Sequence, residues 1–295
     1  MKASKNNFRI VAASLGITAP LWLLSGVAHA ENFSNPSVAG YWLESTFDAG
    51  GTEGVNAFGA PTVSGGQLVG AVPTDTPTWP NSAGGGQGYE AVEHLSVANY
   101  GGNGAGAYYA GNLLGNLTAK TGLTATFSLS DSLIPAGQAF TASEFGGEDA
   151  QGNQGIRLYF KSSTANDPGA PAYGGLSEWW YSPSPALVTG LSNGDAATLT
   201  ADFTNLSGWS EIQGLSASSS PTETAAFESA LSQVTSLGLS FGSGTYYSDG
   251  FGFNTGGTAS INLDSINTTV PEPASFSLLG IGALALLRRR RRAQQ

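Results

Sequence analysis

Alternation between apolar and polar residues marks several segments in the middle of the chain. Leucine, alanine and phenylalanine alternate with threonine and serine over residues 123–129. The same period of two recurs at 156–161, 197–203, 237–241 and 261–264. A period of two places every second side chain on one face of a sheet. These five segments are therefore predicted to be strands that bury their apolar face in a core.

One segment has a helical period instead. Ser220 is suited to cap a helix, Pro221 to open its first turn, and Glu223 to complete a capping box. Phe227 and Leu231 then lie four residues apart, on one face of the predicted helix.

Glycine-rich stretches separate the apolar segments and are predicted to be loops, as at 84–86 and 101–106. Strands with one short helix and many glycine turns favour a β-sandwich or jelly roll. Residues 31–269 are therefore predicted to form a single all-β domain, a jelly-roll-like β-sandwich.

The first 30 residues have the organisation of a secretory signal peptide. Three basic residues precede an apolar stretch at 10–27, and the small residues Ala28 and Ala30 then flank one histidine. Cleavage is predicted after Ala30. An N-terminal anchor that stays attached is the alternative.

The C-terminal segment, residues 270–295, has three parts in a fixed order. Pro271, Glu272 and Pro273 precede an apolar run over Ala274–Leu287. The run is followed by five arginines, Arg288, Arg289, Arg290, Arg291 and Arg292. As a helix the run reaches about 21 Å, which is short for a hydrocarbon core of ~30 Å. Arginines flanking a membrane helix stay on the cytoplasmic side, so the rest of the chain would face outward.

This order of Pro-Glu-Pro, apolar helix and arginine block resembles the PEP-CTERM sorting signal. The resemblance implies export through the secretion machinery and processing by an exosortase in a Gram-negative bacterium that makes exopolysaccharide. It implies a transient membrane anchor and a final place at the cell surface or outside the cell. An ordinary tail anchor is the alternative, but it leaves Pro-Glu-Pro unexplained.

Composition excludes several kinds of site and partner. The chain has no cysteine, and His94 is the one histidine left after the predicted cleavage, so thiolate and multi-histidine metal sites are excluded. Residues 31–270 keep three basic residues against 20 acidic ones, a net charge of −17. Such a surface repels nucleic acid.

A second resemblance covers roughly residues 75–266. The segments at 108–117, 199–203 and 261–266 follow one another as in the laminin IV type A domain and related carbohydrate-binding jelly rolls. The resemblance implies a sandwich, and it implies no particular activity.

Catalytic motifs are weak, and no enzymatic activity is expected. Residues 238–242 match the G-x-S-x-G nucleophile elbow, but the alternation predicts a strand there, with Ser240 pointing outward. A serine hydrolase would need His94 as its base. The acidic residues could supply a glycosidase pair, although none stands in a recognisable motif.

Calcium is the metal that the sequence favours, because its oxygen ligands are abundant. Jelly-roll carbohydrate modules commonly hold structural calcium between their first and last strands. By that resemblance Asp264 would pair with Glu44 or Asp48. Solvated acidic side chains with no metal are the alternative.

Aromatic residues supply candidates for stacking on sugar rings. If Trp179 and Trp180 lie on one strand, one of them must face away from the core. The predicted glycan contacts are Trp179, Trp180, Tyr181, Tyr246, Tyr247 and Trp79. The alternative is that the tryptophans fill the core.

Together these features predict an exported surface or matrix protein that is non-catalytic and binds glycan or associates with exopolysaccharide, as in a biofilm. A structural or adhesive protein that binds other proteins is the first alternative. A glycan-active hydrolase is the second.

Overall fold

A computed structural model describes residues 31–47, 53–56, 58–74, 91–99, 102–146, 155–166, 176–211, 214–242 and 250–270. The predicted signal peptide, its cleavage site at Ala28 and Ala30, Pro271, Glu272, Pro273 and the arginine block lie outside these ranges. Among the described residues, neither α-helix is long and apolar enough to cross a membrane.

Strands dominate the described residues. In chain order they are β1 (Trp42–Phe47), β2 (Glu53–Val55), β3 (Thr62–Ser64), β4 (Gln67–Val72), β5 (Ala91–Ala98), β6 (Gly122–Asp131), β7 (Phe145–Gly146), β8 (Gly155–Asn166), β9 (Leu176–Tyr181), β10 (Ala186–Leu187), β11 (Ala197–Asp202), β12 (Trp209–Glu211), β13 (Ser236–Gly242), β14 (Gly252–Phe253) and β15 (Ala259–Thr269). The α-helices are α1 (Ala105–Tyr108) and α2 (Pro221–Leu231).

Two antiparallel sheets form the sandwich. Within the described ranges, the larger sheet has the strand order β12-β9-β8-β13-β5-β1-β2, and β10 also pairs with β8. The smaller sheet has the order β11-β6-β15-β4-β3, and β14 pairs with β7 separately. The prediction of an all-β sandwich is therefore confirmed. All five strands predicted from alternation are present, as β6, β8, β11, β13 and β15.

The core lies between the two sheets and takes the apolar face of each strand. Phe127 of β6 and Leu263 of β15 are fully buried and pair with each other across the smaller sheet. Leu239 of β13 pairs with Leu158 of β8 and with Leu95 of β5 across the larger sheet. On β6 the outward positions between the apolar ones are threonine and serine, which gives the period of two in the sequence.

Helix α2 begins as its sequence predicts. The Ser220 side chain accepts a hydrogen bond from the Glu223 backbone amide at 3.1 Å, and Pro221 occupies the first turn. Phe227 packs against Trp209 and Phe160, with ring centroids 5.6 and 5.5 Å apart. The helix therefore covers one end of the core. A second, four-residue helix, α1, begins within the stretch 101–106 that is predicted to be a loop, so that prediction is wrong at Ala105 and Gly106.

Residues Ala28–Glu272 form one compact unit. Every residue of the described hydrophobic core lies between Phe33 and Ile266. This unit therefore contains the complete described core and is expected to fold without the chain ends.

Candidate functional site

The two predicted tryptophan contacts lie on β9 and face opposite sides of the larger sheet. Trp179 is 0% exposed and packs in the core against Phe227, with ring centroids 5.3 Å apart. Trp180 faces away from the core, as predicted for one of the pair, but it is only 1% exposed. Its indole Nε1 donates a hydrogen bond to Ser240 Oγ at 2.9 Å. Neither indole offers a surface on which a sugar can stack, so these two site predictions are wrong.

Tyr181 is half-buried at the end of β9. Its ring packs against Trp209, with centroids 5.2 Å apart, and its hydroxyl accepts a hydrogen bond from Asn205 Nδ2 at 3.1 Å. The other predicted aromatic contacts, Trp79, Tyr246 and Tyr247, lie outside the described residues.

The face of the larger sheet that points away from the core carries a buried polar cluster. His94 Nε2 of β5 lies 3.3 Å from Glu178 Oε1 of β9, and Lys161 Nζ of β8 lies 3.4 Å from Glu178 Oε2. The imidazole of His94 stacks on Tyr159, with centroids 4.3 Å apart. Side chains from three strands therefore meet on this face, which we call the outer polar cluster: His94, Tyr159, Lys161 and Glu178.

Opposing effects act on the titratable groups of this cluster. Burial alone would raise the pKa of Glu178, but the contact with His94 and the positive charge of Lys161 lower it overall. Burial and the nearby carboxylate charges raise the pKa of the Tyr159 phenol, so this hydroxyl stays neutral. The cluster therefore contains one ion pair, Lys161–Glu178, with His94 and Tyr159 packed beside it on the outer face of the sheet.

Ser240 lies within β13, paired with His94 on one side and Arg157 on the other. The strand prediction for the G-x-S-x-G segment is confirmed, since no strand-to-helix turn is present at this serine. Ser240 lies on the face of the larger sheet that points away from the core, as expected. Its side chain is nevertheless fully buried.

The structure separates the calcium candidates that it describes. Glu44 of β1 points into the core against Gly70 of β4, and it is 0% exposed. Asp264 of β15 is hydrogen-bonded to the side chain of Gln67, on the same strand as Gly70. Since Gln67 and Gly70 are three residues apart on a strand, they point to opposite faces of the smaller sheet. Glu44 and Asp264 therefore do not share a site.

The third calcium candidate, Asp48, lies outside the described residues. Among the side chains that the structure does describe, no three histidines or acidic residues are grouped to hold a metal ion.

A pocket that the sequence did not predict opens at one end of the sandwich. Its cavity volume is about 480 Å³, within the range of small-molecule sites. Its floor and walls come from the start of the domain and from α1 with the turn that follows it. The lining residues are Glu31, Asn32, Ser34, Asn35, Tyr108, Tyr109, Ala110 and Asn112, and we call this the tyrosine pocket.

Tyr108 supplies the exposed aromatic surface of the tyrosine pocket. It is one of the few large hydrophobic residues of the described domain that stay exposed, at 52%. Its ring lies between Tyr41 and Tyr109, with centroid separations of 5.0 and 4.7 Å. Asn103 ties α1 to the end of β5, because its Oδ1 accepts from the Ala105 amide and its Nδ2 donates to the Ala98 carbonyl, both at 3.0 Å. Tyr108 is thus held in place by two neighbouring rings, and about half of the residue stays exposed.

Glu31 also lines the pocket and is fixed by four hydrogen bonds. Its backbone exchanges two hydrogen bonds of 3.1 Å with Ile266 of β15. Its Oε1 accepts from the Phe33 amide at 2.9 Å, and its Oε2 accepts from the Tyr109 hydroxyl at 2.8 Å. Burial raises the pKa of the Tyr109 phenol beyond its usual range, and the bond to Glu31 adds to this, so the phenol remains a donor.

Backbone strain lies beside the pocket. Phe33 has a φ of 52°, in the left-handed region that a bulky residue rarely adopts. Its ring is fully buried and packs edge-on against Trp42, with centroids 5.4 Å apart. Strain of this kind persists where packing enforces it, and it is concentrated at functional sites.

Polar groups around the pocket remain available for a ligand. The Oδ1 atoms of Asn32 and Asn35 accept from the Ser34 and Ser37 amides, at 3.2 and 3.1 Å. Their amide nitrogens have no partner among the described residues, and neither does the Asn112 side chain. Each Glu31 oxygen keeps further acceptor capacity. The site therefore combines an exposed ring with donors and an acceptor.

The C-terminal end of the chain has a recognisable relationship to known proteins. Residues 269–292 match the PEP-CTERM protein-sorting motif. The chain carries a PEP-CTERM sorting signal. It is therefore an exported protein sorted by an exosortase, at the surface or exterior of a Gram-negative bacterium, and the motif fits the predicted terminal membrane helix.

None of the curated protein sequences compared with the chain matches it. The resemblance to the laminin IV type A domain and to jelly-roll carbohydrate modules stays a prediction. For the molecular activity of this PEP-CTERM protein, the geometry of the domain is the source of inference.

Proposed function

We propose that this exported protein is a non-catalytic glycan-binding module that associates with exopolysaccharide through the tyrosine pocket. The observation that carries the proposal is Tyr108, a residue 52% exposed beside a carboxylate and amide groups that have no partner among the described residues. Flat aromatic rings pack against the C–H faces of sugars, while amides and carboxylates hydrogen-bond the hydroxyls. These are the chemical groups that a pyranose presents.

The charges in and around the pocket indicate which class of glycan it would bind. Glu31 is the only acidic or basic side chain among the eight residues that line the pocket. Two of the three cations of residues 31–270 are engaged elsewhere: Lys161 contacts Glu178, and Arg157 Nη1 donates to the Gly242 carbonyl at 3.0 Å. Neutral glycans therefore fit this pocket better than polyanionic ones.

Affinity electrophoresis of residues 31–272, which lie within the compact unit and begin after the predicted cleavage site, tests the proposal in gels containing dextran, hydroxyethyl cellulose or xanthan. We expect a neutral polysaccharide to retard the protein and Tyr108→Ala to abolish the retardation. Leu133→Ala is the matched control, because Leu133 is 64% exposed but lies outside the pocket.

The outcomes separate glycan binding from the alternatives. Unchanged migration of a folded protein in every gel would overturn glycan binding and leave the protein-binding, adhesive role. Retardation that Tyr108→Ala does not affect would place the site elsewhere. Repeating the gels with EDTA tests the calcium prediction, and a fall in polysaccharide viscosity during incubation would favour the hydrolase alternative.

A further inference from the structure

The first residue of the predicted mature chain is itself a wall of the tyrosine pocket. Cleavage after Ala30 makes Glu31 the new N-terminus, and Glu31 and Asn32 both line the cavity. The four hydrogen bonds described above fix both the backbone and the carboxylate of Glu31. The chemical state of its main-chain nitrogen therefore bears directly on the site.

We propose that signal-peptide cleavage completes the tyrosine pocket, with the α-ammonium group of Glu31 as one of its glycan-binding groups. This inference rests on the proposed function and deepens it, because it makes binding dependent on processing. The ligand class remains a neutral glycan, whose hydroxyls accept from the ammonium group and donate to the carboxylate of the same residue.

The number of hydrogen-bond donors on the Glu31 nitrogen before and after cleavage supports this proposal. Before cleavage the nitrogen is an amide with a single N–H, and that N–H is already donated to the Ile266 carbonyl at 3.1 Å. After cleavage it is an ammonium group with three N–H donors. Two further donors and a positive charge then lie beside the Glu31 carboxylate. In the uncleaved chain that nitrogen is part of a peptide bond, so it supplies neither the extra donors nor the charge.

Rigid anchoring makes this effect specific to the site. Ile266 belongs to β15, the central strand of the smaller sheet, which pairs with β6 over residues 259–269 and with β4 over residues 259–263. Oε2 of Glu31 is held by Tyr109, whose ring contacts Tyr108. Four hydrogen bonds therefore hold the backbone and the carboxylate of Glu31 at the wall of the pocket. The binding site and the cleavage site are therefore coupled through one residue.

Three forms of the domain that differ only at the N-terminus test the inference. The first begins at Glu31 with a free α-amine, released by a protease that leaves no tag residue. The second is the same chain with an acetylated α-amine, and the third retains Ala28, His29 and Ala30. Each is measured in the dextran, hydroxyethyl cellulose and xanthan gels, after thermal unfolding has shown equal stability.

We expect the free α-amine form to bind about tenfold more tightly than the other two, since hydrogen bonds to charged groups are the stronger ones. The difference should shrink as the pH rises through ~8, where an α-amine loses its proton and with it the charge and one of its two extra donors. The other titratable groups that line the pocket are the Glu31 carboxyl and the Tyr108 and Tyr109 phenols, which all three forms share.

Equal affinity of the free and acetylated forms would overturn the inference while leaving glycan binding intact. Failure of the proposed function is a different result, because then none of the three forms would be retarded in any gel. Glu31→Gln in the free-amine form is a further check: it should weaken binding yet keep the dependence on the α-amine.

Discussion

The carboxyl group of Glu44 lies against the α-carbon of Gly70, which belongs to the opposite sheet. Glu44 is on β1 of the larger sheet, and Gly70 is on β4 of the smaller one. The glutamate is 0% exposed, and a β-carbon at position 70 would overlap its carboxyl group. The missing side chain of the glycine thus makes the space that an acidic residue occupies inside the core.

Burial in this position changes the acidity of Glu44. It raises the pKa of the carboxyl group from 4.5 to about 8, and the backbone amide of Ala71 offsets the effect only in part. Glu44 is therefore mostly protonated in the folded protein at neutral pH, whereas in an unfolded chain it would be ionised.

Glu44→Gln should remove a pH dependence of stability. Between pH 4.5 and about 8 the folded protein keeps a proton that the unfolded chain releases, so the free energy of unfolding falls as the pH rises through this window. The loss is on the order of 5 kcal/mol, at ~1.4 kcal/mol per pKa unit. Urea unfolding of both proteins from pH 4 to 9 measures it. If the free energies of unfolding of the wild type and of Glu44→Gln change in parallel from pH 4 to 9, the raised pKa of Glu44 is contradicted.

Gly70→Ala should destabilise the domain by about 1–3 kcal/mol, the usual cost of overpacking a core. Gly190→Ala is the matched control, because a β-carbon there meets no atom within 4 Å and Gly190 has no left-handed φ. In a Glu44→Ala background the penalty at position 70 should largely disappear. A penalty of the same size in both backgrounds, measured by urea unfolding, would show that the two residues do not compete for space.

The sequence predicts five of the strands and α2 because their signals are local. Each of the strands β6, β8, β11, β13 and β15 carries its own alternation, and the N-terminal cap of α2 lies within the four residues from Ser220 to Glu223. The position of Glu44 has no local signal. In the sequence it looks like a solvent-facing acidic residue or a metal ligand, and only the glycine on a strand of the other sheet makes an inward position possible.

The tyrosine pocket has no local signal in the sequence for a similar reason. Tyr109 and Glu31 are 78 residues apart, and they meet because Glu31 pairs with Ile266 near the end of the domain. The tyrosine pair at 108–109 was the one visible signal. The prediction that Trp180 contacts a glycan is wrong because alternation along a strand shows which face of the sheet a residue lies on. It does not show whether other side chains cover that face.

Glu178→Gln should destabilise the domain by about 3 kcal/mol at pH 7, because it leaves His94 and Lys161 without the carboxylate they contact. The folded pKa of Glu178 is lowered, so its contribution is present above the ordinary value of 4.5 and is lost as the pH falls through the folded value. Wild type and variant should therefore converge in acid. The control is Glu228→Gln, an exposed glutamate on α2.

Urea unfolding at pH 7 and pH 3 distinguishes an ionic role from a packing role for Glu178. A loss of stability that is equal at both values would mean that the shape of the side chain matters and its charge does not. A smaller loss at pH 3 is the result that the outer polar cluster predicts.

Trp180→Phe should lower stability without affecting glycan binding. The change removes the indole N–H that donates to Ser240 Oγ at 2.9 Å and leaves a smaller ring on a face where Trp180 is 1% exposed. A loss of about 1–3 kcal/mol is expected from the hydrogen bond and the unfilled volume. Urea unfolding measures this loss, and the same polysaccharide gels report binding.

A double-mutant cycle with Ser240→Ala isolates the hydrogen bond from the change in ring size. The coupling energy should be about 0.5–1.5 kcal/mol, the usual net contribution of one such bond. Tyr108→Ala should show the reverse pattern, with lost retardation and little lost stability, because its ring is half exposed. If Trp180→Phe instead weakened retardation while the unfolding curve stayed unchanged, Trp180 would be a ligand contact and the tyrosine pocket would lose its main support.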